Sequence, residues 1–161
     1  MLNKELLLAS GGTSPWENPQ ISDFGTWGGT SFAVKCTGDS STGWSGYEVW
    51  RAFDKNESTG YFNRQRSAAN SLTISLYNPK PVRLTRINVK QAYYGFGTAT
   101  LNYSDDGNNW TRVQSGIING ENSITHSGFH KYWKFSDLGA FSGGWRNIDV
   151  IEIYLYGWEK G

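Results

Sequence analysis

Leu101-Asn102-Tyr103-Ser104-Asp105-Asp106-Gly107-Asn108-Asn109-Trp110-Thr111 reads as two strands joined by a tight turn. Ala99, Leu101 and Tyr103 alternate with polar neighbours, the period-2 pattern of a half-buried strand. Asp105-Asp106-Gly107-Asn108 follows, and Asp, Gly and Asn tolerate the positive φ that a hairpin turn demands. Trp110 to Val113 then forms the return strand. A hairpin this explicit points to an antiparallel, all-β domain.

The same signals recur on both sides. Upstream, Leu72, Ile74 and Leu76 alternate with Thr73 and Ser75, and Asn78-Pro79-Lys80-Pro81 breaks the run. Val82 to Lys90 is the next strand. Its inward residues change parity between Leu84 and Ile87, which predicts a bulge. Earlier still, Phe32, Val34 and Cys36 share one strand face. Glu48 to Phe53 suits a short helical turn with Trp50 and Phe53 on one side. Downstream, Lys131–Phe135 and Ile148–Tyr156 are strands; in the last, Ile151, Ile153 and Leu155 face one way and Glu152, Tyr154 and Tyr156 the other. Ser10 to Gly29 reads as loop, and Lys4 to Ala9 as a first strand. Short strands with regular turn signals predict an antiparallel β-sandwich of the jelly-roll kind.

Composition agrees. The chain has 161 residues, with 20 Gly, eight Trp, nine Tyr and eight Phe. That length fits one domain, 1–161, with an N-terminal strand and loop over 1–30 and a core module over 31–157. Fifteen basic and 14 acidic residues give a formal net charge of +1, which offers no electrostatic reason to expect nucleic acid or anionic membrane lipid as partner. The single cysteine, Cys36, excludes an intrachain disulfide and a Cys-based metal cluster; a buried structural thiol is expected. The apolar stretch Leu6-Leu7-Leu8-Ala9 is too short for a secretory signal or a membrane span.

Five segments, in order, resemble the discoidin (coagulation factor V/VIII type C, galactose-binding-like) domain family. Trp50-Arg51-Ala52-Phe53-Asp54-Lys55-Asn56-Glu57-Ser58-Thr59 resembles its Ala-x-Asp-Gly-Asn-x-x-Thr loop. Leu72–Leu76 with Pro79–Val89 resembles its strand–Pro–strand pair, and Leu101–Thr111 its Tyr-Ser-x-Asp-Gly-x-x-Trp hairpin. Lys131–Phe135 and Ile151–Gly157 resemble its two closing strands. The resemblance covers roughly residues 30 to 157. Lys55 stands where the family usually has Gly, Tyr61 where Trp is usual, and the disulfide common in extracellular members is missing. The last departure points to a bacterial or bacteriophage protein rather than an animal secreted one.

The resemblance implies one structural calcium ion. Its ligands would be the Asp54 side chain, backbone oxygens at Phe53 and Asn56, Thr59, and a distant carboxylate from Glu152. It also implies a ligand site on loops at one end of the sandwich, which here carry Trp44 and Tyr47, Arg64, Tyr93, Tyr94 and Phe96, and Trp145 and Arg146. Aromatic rings stack on the C–H faces of sugars, and planar side chains answer their hydroxyls, so the expected partner is a cell-surface glycan.

Catalysis is not expected. A glycosidase needs two carboxylates across a cleft, whereas Asp105 and Asp106 belong to one tight turn. His126 and His130 lie four apart without a helix around them, so a surface or strand-end role is expected. The expectation is a non-catalytic carbohydrate-binding module at a virion or extracellular surface, in phage–host attachment or bacterial glycan targeting, as a homo-oligomer or part of a larger virion assembly. A structural or protein-binding virion component is the alternative.

Overall fold

The computed structural model describes residues 12–37, 45–64, 73–95, 97–138 and 147–161. Nine strands are present among them: β1 Thr13–Glu17, β2 Ala33–Thr37, β3 Tyr61–Arg64, β4 Thr73–Gly95, β5 Ala99–Ser104, β6 Thr111–Ile117, β7 Gly120–Ser123, β8 His130–Ser136 and β9 Asn147–Lys160. The expected first strand at Lys4–Ala9 lies outside the described residues.

Strand β4 belongs to both layers of an antiparallel β-sandwich. Its first part, Thr73–Tyr77, is paired on one side with β2 and on the other with β8, and the layer continues through β5 to β6. Its second part, from Val82 onward, pairs with β9 and β7, and the far edge of β9 carries β1 and β3. The corner is Asn78-Pro79-Lys80-Pro81. The sequence suggests a break here; the backbone instead stays extended, and the register shifts between Tyr77 and Val82. Two prolines cannot donate to a ladder. Asn78 substitutes, its side-chain amide donating to the Lys80 carbonyl at 2.7 Å.

The expected bulge is at Thr85. Leu84 pairs with Gly157 and Arg86 with Tyr156, so Thr85 has no opposite residue, and Leu84 and Ile87 are both fully buried. Facing it, Gly157 lies so close to the Arg83 carbonyl that a β-carbon there would collide with it.

A second irregularity corrects the reading of β9. Lys90 pairs with Glu152 and Gln91 with Val150, leaving Ile151 as the extra residue. Ile151 therefore does not face the core with Ile153 and Leu155 as its spacing suggests. It is half-buried on the outer side, while Ile148, Val150, Ile153 and Leu155 fill the interior. The bulge reverses the alternation.

Three further segments depart from expectation. Thr13–Glu17, read as loop, is edge strand β1; Pro15 is exposed there, as an edge tolerates. Residues 62–64, read as part of a ligand loop over 62–66, belong to β3, and Tyr93–Gly95, also read as loop, continue β4. The helical turn is a 3₁₀ segment, Val49–Phe53, burying Val49, Ala52 and Phe53. Trp50 does not join Phe53 inside; it stays half-buried with the Arg51 guanidinium over its ring at 4.5 Å.

The core lies between the layers, with Ile74, Leu76, Leu101, Trp133 and Phe135 from one and Leu84, Ile87, Val89, Val150 and Ile153 from the other. Each such side chain contributes roughly 1.5–3 kcal/mol by leaving water. Cys36 joins this core as expected, and burial pushes its thiol up to about 11.

Candidate functional site

The 3₁₀ turn ends at Asp54 and delivers the loop 54–60 against the middle of β9. Asp54 organises it: one carboxylate oxygen accepts the Asn56 amide at 2.9 Å and the other the Thr59 hydroxyl at 2.6 Å. The Thr59 amide donates to the Asn56 carbonyl at 3.1 Å. Lys55 adopts φ 59°, the left-handed region in which glycine is the usual occupant. It occupies that position with its ammonium on the Glu17 carboxylate at 2.8 Å, tying the loop to β1. The Phe53 carbonyl accepts the Ile21 amide at 3.3 Å.

Glu152 comes to this loop from β9. It is fully buried, and its Oε1 accepts the Lys55 amide at 3.3 Å. Its Oε2 is buried with no hydrogen-bond partner. Burial first, and the neighbouring Asp54 carboxylate after it, push Glu152 up to about 8. Two carboxylates facing each other away from water require a proton or a cation between them. The expected metal ligands Asp54, Asn56, Thr59 and Glu152 are therefore brought together, with the Phe53 carbonyl at the start of the loop. Only two of them are carboxylates; among the described residues no group of three or more His, Cys, Asp or Glu converges.

Beside this loop an open groove of about 400 Å³ is lined by Gly46, Tyr47, Glu57, Ser58, Thr59, Gly60, Asp149 and Ile151. Its volume falls within the range of small-ligand sites, about 300–1,000 Å³. Tyr47 is held by its carbonyl, which accepts the Phe62 amide at 3.1 Å, and by an edge contact of its ring on Phe62. Even so its side chain is 52 % exposed, an unusual position for a large aromatic residue. Glu57 is bound by the Lys90 ammonium at 2.6 Å and the Tyr154 hydroxyl at 2.7 Å. Asp149 is half-buried, and burial lifts its pKa above the usual carboxylate value.

Of the residues expected to bind ligand, Tyr47 lines this groove. Trp44, Phe96, Trp145 and Arg146 lie outside the described residues, as do the side chains of Arg64, Tyr93 and Tyr94, whose backbones belong to β3 and β4. Sequence reasoning did not select Asp149, Glu57 or Ile151. The bulge that turns Ile151 outward leaves no trace in the hydrophobic pattern, and Asp149 gains its place through strand pairing with Phe62 and Gly95, distant in sequence.

A second polar cluster sits near the β5–β6 turn. Asp105 Oδ1 is 2.7 Å from His130 Nδ1, and His130 Nε2 is 2.8 Å from His126 Nε2. The Tyr103 ring stacks on His130 with centroids 3.7 Å apart. His130 opens β8, the strand-end place expected of it, and is buried there. An ionised carboxylate only accepts, so the geometry suits a His130 that donates from Nδ1 to Asp105, with Nε2 facing His126.

No family model and no curated protein matches the sequence. Solved structures do. A family 32 carbohydrate-binding module of a Clostridium perfringens family 89 glycoside hydrolase, in complex with GalNAc-β-1,3-galactose, superposes with TM-score 0.60 at 17% identity, covering 77% of this chain and 94% of the module. The family 32 module of C. perfringens NanJ, in complex with galactose, gives 0.59 at 15% identity, with coverages of 78% and 93%. A chitosan-binding module from a Paenibacillus chitosanase/glucanase gives 0.60 at 18% identity, with coverages of 80% and 96%. The chain has the galactose-binding-like sandwich fold of these modules, the fold that the discoidin resemblance implies.

Proposed function

We propose that the protein is a non-catalytic carbohydrate-binding module and that the groove beside the Asp54 loop holds part of its sugar site. The carrying observation is the exposed Tyr47 ring at a groove that also carries the carboxylates of Glu57 and Asp149, the hydroxyls of Ser58 and Thr59 and the apolar side chain of Ile151. A ring face takes the C–H face of a pyranose, and Asp149, Ser58 and Thr59 supply acceptors and donors for its hydroxyls. Three structural neighbours that bind galactose, a GalNAc-galactose disaccharide or chitosan support the class of ligand. An open groove of this size suits weak binding per site, useful when many copies are displayed on a multimeric adhesin, virion or glycan-targeting protein.

The residues around Asp54 fit a calcium ion. Calcium takes six to eight oxygens, carboxylate, carbonyl and hydroxyl alike. The partnerless, buried Glu152 Oε2 is the observation that supports this. The Asp54 and Glu152 carboxylates, the Thr59 hydroxyl and the Phe53 and Asn56 carbonyls would hold it. Such an ion neutralises the facing carboxylates and fastens β9 to the loop that walls the groove.

The test is a glycan array followed by calorimetry on native protein and Tyr47→Ala, with calcium present. Selective binding, weakened at least tenfold by the substitution, is expected. A folded Tyr47→Ala protein that binds its glycan unchanged would remove the groove as the site; a folded native protein that binds no glycan would favour the protein-partner alternative.

A further inference from the structure

We infer that the groove selects a sugar bearing a free amine, a 2-amino-2-deoxyhexose, over its N-acetylated or acidic counterparts. The inference rests on the sugar-binding reading and deepens it. Both ionisable side chains that line the groove, apart from the Tyr47 phenol, are carboxylates, Glu57 and Asp149, and no described lining residue is basic. Their situations differ. Glu57 is neutralised by Lys90 and engaged by the Tyr154 hydroxyl, so its charge is already answered. Asp149 is not: among the described residues no side chain pairs with it, and its place on β9 opposite Phe62 and Gly95 leaves it half-buried.

A partly desolvated carboxylate without a counter-charge is the complement of a cation. A sugar hydroxyl satisfies one of its lone pairs and leaves the charge unanswered; an ammonium does both. The apolar lining of the groove fixes the rest of the ligand. Tyr47 offers an exposed ring edge-held on Phe62, and the half-buried Ile151 adds apolar surface. A pyranose ring with an amine substituent presents an apolar face and a cationic edge in one rigid unit. A sialic or uronic acid would instead set a third carboxylate beside the two already present.

The test compares a trimer of β-1,4-linked glucosamine, its fully N-acetylated form and a sialylated trisaccharide, by calorimetry at pH 5.5, below the amine's pKa so that the ammonium form predominates, with calcium present. The free-amine trimer is expected to bind at least tenfold more tightly than the acetylated one, and the sialylated sugar not at all. Asp149→Asn should reduce the amine preference to near one while the protein stays folded by its unfolding midpoint. Equal affinity for amine and acetylated sugars, or tighter binding of the sialylated one, overturns this selectivity and leaves the sugar site standing. Absence of binding to every sugar on a broad array overturns both together. Competition by an oligolysine peptide as strong as by the glucosamine trimer would assign the groove to a protein amine and overturn the selectivity for sugar.

Discussion

The amide of Lys55 donates to the Glu152 carboxylate across 97 residues of sequence, at 3.3 Å. That contact places a fully buried acid beneath the Asp54 loop with one oxygen satisfied and the other left bare. It also explains how a lysine holds a position suited to glycine: the left-handed backbone, costing on the order of 1–2 kcal/mol, aims the amide at Glu152 while the side chain reaches Glu17.

Calcium should therefore stabilise the protein measurably. At a free concentration 100-fold above Kd the gain is about 2.7 kcal/mol, or roughly 5–10 °C in Tm for a domain of this size. Glu152→Gln should remove that increment while leaving the calcium-free protein as stable as native or more so, since it spares the cost of neutralising a buried acid that faces Asp54. Differential scanning calorimetry with calcium and with chelator reads both. A native Tm indifferent to calcium would end the metal reading.

Gly157→Ala is expected to be among the most damaging single substitutions. The β-carbon meets the Arg83 carbonyl at the Thr85 bulge, where backbone cannot yield without breaking the β4–β9 pairing. A loss of at least about 3 kcal/mol is expected, at the upper end of overpacking effects. Urea denaturation of the variant checks it, and Gly46→Ala, where the added carbon meets nothing and only the left-handed φ of 85° opposes it, is the milder comparison at about 1–2 kcal/mol.

How far the sequence reveals this molecule depends on what a pattern can carry. Alternation at Ala99–Tyr103 and the Asp-Gly turn are local, and the strand and the turn both appear, with Gly107 taking the positive φ; the half-buried alternation does not, because Thr100, Asn102 and Ser104 are buried beside Ala99 and Leu101 while Tyr103 is the partly exposed one. The parity change between Leu84 and Ile87 betrays the first bulge because both flanking residues are apolar. The second, at Ile151, is silent: Glu152 is a charged residue inside and Ile151 an apolar one outside, so hydrophobicity points the wrong way. Edge strand β1 hides for a related reason, since Pro15 and Glu17 face solvent and only Trp16 packs on the core. In the site, the Asp54 loop is legible because its residues are contiguous. The groove is not, because Tyr47, Glu57 and Asp149 meet only through tertiary pairing.

Cys36 should be unreactive in the folded state. Burial holds its thiol near 11, far above the range in which thiolate forms at neutral pH, and the side chain is 4 % exposed. A thiol-specific chromogenic reagent at pH 8 should label less than a tenth of the protein within an hour, and all of it in denaturant. Rapid labelling of native protein would show that β2 opens readily from β4.

The His126–His130–Asp105 chain makes a prediction about acid. His126 has a pKa held below the ordinary histidine value, by burial first and the neighbouring His130 second. Its unfolded form therefore takes a proton before its folded form does. The contribution of the neutral pair is complete above about pH 6.5 and is lost as pH falls below that value. Because His126 is partly exposed, the loss is limited to about 1 kcal/mol, a few degrees in Tm. His126→Gln keeps an amide donor for His130 but cannot titrate, so its melting temperature should fall less between pH 7.5 and 5.5 than that of native protein. Measuring both in saturating calcium removes the opposing contribution of Glu152, whose raised pKa favours the calcium-free fold as pH drops toward the ordinary carboxylate range. Identical slopes for native protein and variant would mean that the hydrogen-bonded pair accepts a proton without cost, shared between the two facing nitrogens and balanced by Asp105.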